Sequence, residues 1–128
     1  MKFAVLGLLC IAAIAGVFVY VQSGTRPPLD VVDLRGHKEV SVVLTDQGFE
    51  PKSFRIDRGT TVTFSTTRDH QFWPASNPHP THDIDPQFDP QVPIEPNQTW
   101  SFTFNQPGAW GMHDHIRSYY TGTVYVAD

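Results

Sequence analysis

Apolar and polar residues alternate in a series of short stretches, "EVSVVLTD", "SFRIDRG", "TTVTFST", "TWSFTFNQPG" and "GTVYVAD", each rich in Val, Thr, Phe or Trp and bounded by turn residues. A period of two sends successive side chains to opposite faces, so each stretch reads as a strand with one buried face. No segment carries the helical period and no internal repeat is present, which predicts an all-β sandwich or barrel. A chain of 128 residues, 40% hydrophobic, holds one compact domain of this kind and little else. We expect it over residues 38–128.

What precedes the strands is of two kinds. The start, "MKFAVLGLLCIAAIAGVFVYVQSG", is apolar without interruption from Phe3 to Val21. About 19 residues come close to the length of a bilayer-crossing helix and exceed the usual core of a signal peptide. Residues 1–22 are therefore expected to be a signal anchor or a signal peptide. "AIAG" at Ala13–Gly16 resembles a cleavage site, whereas "VFVYV" beyond it extends the run into an anchor, the reading favoured here. Leu8 and Leu9 stand before Cys10 where lipid attachment asks for small residues. Either way the domain is expected outside the cytoplasm, in the periplasm or at the cell surface, held to the membrane by its N-terminus or secreted if cleaved. Residues 23–37, with Pro27, Pro28 and two glycines, read as a flexible tether.

Charge and cysteine usage narrow the chemistry. A net charge of -4, with Lys and Arg scattered, offers no footprint for nucleic acid. The sole cysteine, Cys10, lies in the apolar start, so the strand region has neither a disulfide nor a thiolate ligand. Histidine is distributed differently: five of six fall between residues 70 and 115. His113 and His115 lie two apart in "WGMHDHIRSYYTG", and His79 and His82 lie in "PASNPHPTHDIDPQFDPQVPIEP", a Pro-rich excursion that cannot be a central strand and is long enough to be functional.

"GFEPKSFRIDRGTTVTFST" followed by "DHQFW", and later "FTFNQPGAWGMHD" ending in "GTVYV", resembles the cupredoxins, over about Val40 to Asp128. The resemblance implies a Greek-key β-sandwich and a copper site built from a histidine after the third strand and a Cys, His, Met loop near the C-terminus. His70 matches the first position, although Phe72 can also stand there. Asp114 falls where the family has its cysteine, and Arg117 and Tyr120 where a short loop would carry histidine and methionine. The blue site is therefore not expected. The His113/His115 pair is similar instead to the His-x-His of multicopper oxidase domains. The sequence also looks like a group of small exported bacterial cupredoxin-like proteins without the cysteine.

Side chains at i and i+2 of a strand share a face about 6.5 to 7 Å apart, so His113 and His115 can serve one ion while Asp114 turns away. Two donors leave a coordination sphere incomplete, and His82 and His79, with His70 as a further donor, are expected to fold back and fill it. Imidazoles without thiolate suit copper first and zinc as the alternative. Without sulfur-to-copper charge transfer, a bound Cu(II) should be a pale type 2 centre. Asp83, Asp85 and Asp89 in "DIDPQFDP" could ligate a hard cation, but Asp before Pro, as at Asp85 and Asp89, is ordinary turn chemistry and that reading is preferred. His37 reads as a surface residue, and Met112 as either packing or a soft ligand. The function expected is copper capture or transfer with a membrane-bound donor or acceptor protein. Two rivals stand beside it: a mononuclear copper oxidoreductase or electron-transfer protein, and a metal-free shell that binds protein through Trp73, Trp110, Tyr119 and Tyr120.

Overall fold

The computed structural model describes residues 30–128, so the expected signal anchor or signal peptide lies outside the described residues. Among those described there are nine strands and no helix, hence none long and apolar enough to cross a membrane. The strands are β1 (Val32–Asp33), β2 (Glu39–Thr45), β3 (Gly48–Glu50), β4 (Ser53–Asp57), β5 (Thr60–Thr66), β6 (Pro74–Ser76), β7 (Trp100–Phe104), β8 (Gly108–Asp114) and β9 (Thr121–Ala127). They form a five-stranded sheet in the order β1-β4-β9-β8-β6 and a four-stranded sheet in the order β3-β2-β5-β7. Pairs β1/β4, β4/β9 and β2/β5 are parallel and the others antiparallel.

The two-residue period decides what is buried. Val40, Val42 and Leu44 of β2, Val62 and Phe64 of β5, Phe54 and Ile56 of β4, and Val124 and Val126 of β9 point inward and share one core. Their neighbours Ser41, Thr63 and Arg55 point outward, and Thr63 and Thr61 reach across to hydroxyls of Ser101 and Thr103 on the exposed face. Burying each large apolar side chain contributes about 1.5–3 kcal/mol, which fixes the register, because a one-residue slip would reverse both faces.

Two segments depart from simple alternation. In the stretch expected as a tether, Val32–Asp33 pairs with β4, the Leu34 amide donates to the Arg55 carbonyl (2.8 Å) and the Gly36 amide to Asp57 Oδ2 (2.7 Å). From Val32 onward the chain is docked on the sheet edge, ahead of residue 38. The second departure is the end of β8, where Met112, His113 and Asp114 are all buried. Both faces are covered there because the Pro-rich excursion returns over the sheet. Its first residues, Pro74–Ser76, form the edge strand β6 against β8, a place that tolerates proline because one side of an edge strand needs no N–H. Further along, Phe88 is fully buried against Phe64, Trp100, Phe102 and Phe104 with ring centroids 5.1–5.7 Å away. The Ser76 amide donates to the Phe88 carbonyl, and Phe72 and Ile94 exchange two backbone hydrogen bonds. The excursion is thus fastened at its start, middle and end.

Candidate metal centre

His113 lies near the end of β8, between Ala75 of β6 and Thr121 of β9, and is 1% exposed. His115 follows just past the strand, its amide donating to the Trp73 carbonyl (2.7 Å). Asp114 between them turns the other way and accepts from the Trp73 amide (2.7 Å) through Oδ1. Burial pushes the Asp114 carboxyl up, against hydrogen bonds from the backbone amides of Trp73, Ile116 and Arg117. Its Oδ2 has no hydrogen-bond partner among the described residues. From the excursion, "PHPTH" brings two more imidazoles over the same ground. The His82 amide donates to the Pro78 carbonyl (2.9 Å) and the Ile84 amide to the Asn77 carbonyl (3.1 Å), closing a turn in which His82 has φ +59. This left-handed backbone costs about 1–2 kcal/mol for a residue with a Cβ and is held by those bonds.

The outcome is a cluster of His79, His82, His113 and His115, each offering one ring nitrogen, with all four nitrogens within 4.8 Å of one another. His79 Nδ1 lies 3.2 Å from His113 Nε2, and His115 Nδ1 lies 2.9 Å from His82 Nε2. Two outer groups orient two of the rings. His113 Nδ1–H donates to Asn77 Oδ1 (3.1 Å), and His82 Nδ1–H donates to Asp89 Oδ2 (2.7 Å). The acceptors are oxygens, so in the neutral rings the inward Nε2 of both carries the lone pair. Asp89 Oδ1 accepts in turn from Trp73 Nε1 (2.8 Å) and the Gln91 amide (2.7 Å). Burial raises the Asp89 pKa, but the bonds from His82, Gln91 and Trp73 outweigh it and hold the carboxylate below its usual range. The Trp73 indole also covers the His115 ring, centroids 4.5 Å apart.

Desolvation, followed by repulsion from His82, His79 and His115, pushes His113 down to about 4. The same order of causes, burial and then His82 and His79, lowers His115. Both rings are therefore neutral at pH 7, the state in which imidazole can coordinate. Metal-imidazole bonds of about 2.0 Å put ligand nitrogens roughly 3 to 4 Å apart around a four-coordinate ion, and the short pairs here lie in or just under that range. The donor set therefore fits a borderline first-row divalent ion.

The remaining sequence candidates lie elsewhere. His70 is not brought into the cluster; its side chain is 54% exposed and faces Asp69 at 3.1 Å. Phe72, the competitor for that position, is buried in the core. Met112 is core packing, so close to Gly122 that a Cβ there would meet its methyl at 2.5 Å. Asp83 and Asp85 are not in the group. Sequence reasoning took Asp89 for a turn residue and passed over Asn77; no spacing rule links either to a histidine. The one trace of Asn77 is Gly111, where a Cβ would meet Asn77 Nδ2 at 2.5 Å.

No family model and no curated protein matches the chain. Solved structures do. A Cu-containing nitrite reductase from Thermus scotoductus SA-01 superposes with a TM-score of 0.61 at 20% identity over 77% of this chain, which spans only 28% of the reductase chain. A reduced amicyanin variant gives a TM-score of 0.60 at 17% identity, covering 70% of this chain and 82% of its own. A purple cupredoxin from Nitrosopumilus maritimus gives 0.56 at 15% identity, covering 69% and 99%. Identities this low speak for the fold, and the fold is what they share: the described residues are a cupredoxin-like β-sandwich without the cysteine of the blue copper site, with four histidines gathered at the end of β8.

Proposed function

We propose that this chain is an extracytoplasmic copper-binding protein whose non-blue centre, made by His79, His82, His113 and His115, serves copper capture or transfer. The observation that carries the reading is the convergence of four imidazole nitrogens within 4.8 Å, with no cysteine among the described residues. Four imidazoles, two of them buried, turned toward one point form a donor set that a divalent cation would use in full. Copper is favoured over zinc by the Irving-Williams order. Once bound, copper would supply a cationic centre able to change oxidation state. The chain's residues hold it: His82 and His113 from below, His79 and His115 from the more open side. His79 is exposed and His115 half-exposed, so a partner can approach those two ligands. Transfer suits this access better than fast electron transfer, which in the blue proteins uses the thiolate. The apolar stretch at residues 3–21 supports a membrane-held position where a donor or acceptor protein is within reach.

The test uses the purified full chain, exposed to Cu(II) or Zn(II) and then dialysed. Elemental analysis should return about one copper per chain with no strong absorption near ~600 nm, and His113→Ala/His115→Ala should bind none. Retained stoichiometry in the double variant would remove the site assignment. Zinc retention without copper would replace the metal, and no metal at all would leave the reading of a protein-binding shell.

A further inference from the structure

The four histidines are not equivalent. His82 and His113 are buried and each has its outer nitrogen tied to an oxygen, Asp89 Oδ2 at 2.7 Å and Asn77 Oδ1 at 3.1 Å. Those oxygens are themselves fixed. Asp89 is held by the Trp73 indole and the Gln91 amide, and the Asn77 amide donates to the Gly111 carbonyl (3.0 Å) while its side chain lies against the bare Cα of Gly111. Among the described residues neither His79 nor His115 has such a tie: the side-chain hydrogen bond of His79 there is to His113, and that of His115 is to His82. Since Nε2 of His82 and of His113 carry lone pairs, the hydrogens in these two contacts belong to Nδ1 of His79 and of His115 in the neutral, metal-free protein. The free site is thus two N–H···N pairs, with the tied histidines accepting and the untied ones donating.

We propose that the centre works as two unequal halves: His82 and His113 are permanent ligands with lone pairs preset inward, while His79 and His115 are exchangeable, and His79, the exposed member, yields first to an incoming nitrogen or sulfur donor. The inference rests on the copper reading above and adds the direction of exchange. To coordinate, His79 and His115 must each present Nδ1 as a lone pair, so the hydrogen on that atom moves to Nε2, with no change in ring charge. His79 can do this against water, and its Nε2 needs no protein acceptor. His82 and His113 undergo no such change, because their Nδ1–H stays with Asp89 and Asn77 throughout. An acceptor protein approaching from the exposed side therefore meets the ligand whose departure disturbs nothing else in the fold.

Two measurements on the full chain test this. Ring ¹⁵N spectra of the metal-free protein at neutral pH should show His82 and His113 as Nδ1–H tautomers; Nε2–H tautomers at these positions overturn the proposal whatever the metal does. Extraction of Cu(II) by EDTA should be about tenfold faster from His79→Ala than from the parent chain, with stoichiometry kept, whereas His113→Ala should hold no copper and Asn77→Ala should lower affinity about 10- to 100-fold. If the parent chain binds copper but His79→Ala loses it as fully as His113→Ala, or releases it no faster, the halves are equivalent and the proposal fails while the copper reading stands. A parent chain that takes up no copper overturns both.

Discussion

The sheets and the excursion over residues 77–99 are buried by different means. In the sheets, every second residue of β2, β4, β5 and β9 enters one core, and the load is spread over many apolar side chains. The excursion has only Phe88 and Ile94 in that core, and beyond them it is held by a small number of hydrogen bonds to Phe72, Trp73, Ser76 and Gly111. A distributed core tolerates local change, whereas a segment hung on few points transmits it. The candidate centre draws His79 and His82 from the excursion and His113 and His115 from β8 and the residue just past it, so it should respond to damage in the excursion before the sheets do.

The largest effect should come from the single deep anchor. Phe88→Ala removes a fully buried ring from contact with four aromatic neighbours and should cost about 3–5 kcal/mol of stability, read as a lower urea midpoint, with copper uptake lost as well. If copper binding survives at full affinity, the excursion is held by more than these contacts. Next comes the tie that orients without filling space. Asp89→Ala should weaken copper binding about 10- to 100-fold with the β-sheet circular dichroism unchanged, and an unchanged affinity would make Asp89 a turn residue only.

Acid gives a third measure of the contrast, in the metal-free chain. His113 titrates near 4 in the folded protein against an ordinary value of 6.5, so between those values the unfolded chain binds more protons and stability falls as pH falls. From this ring alone the loss between pH 7 and 5 should be roughly 2 kcal/mol, and His115, lowered in the same direction, adds to it. Urea midpoints at the two pH values measure this, and His113→Ala should reduce the slope; equal slopes in both proteins would remove the assignment. The smallest expected effect is none. Asp114→Cys restores a thiol at the position the blue proteins use, yet that side chain faces the Trp73 amide and lies outside the histidine group. Copper-loaded Asp114→Cys should show no intense band near ~600 nm; a blue protein would mean that the side chain reaches the ligands after all.

The strands were legible because alternation is a local property, and in β2, β4 and β9 it survives intact. His113 and His115 could be paired from their spacing alone, although His115 proves to lie past the end of β8. The excursion was legible only as unusual. Nothing in "FDP" distinguishes an aspartate that holds a histidine from one that makes a turn, since the link from Asp89 to His82 depends on a left-handed residue at His82 itself. The same limit hid the docking of Val32–Asp33, whose partner, β4, is distant in sequence. His70 illustrates the converse: a family position suggested a ligand, and the chain turns it toward Asp69 and solvent.

Trp73 touches both regions, its ring over His115 and its indole N–H on Asp89. An indole one ring away from a ligand is a fluorophore placed beside its own quencher. A paramagnetic ion among the four imidazoles would drain its excited state, while Trp100, stacked in the aromatic core, serves as a steadier background. Occupancy of the centre can then be followed as emitted light from the unlabelled chain, in real time, as the ion arrives or is drawn away.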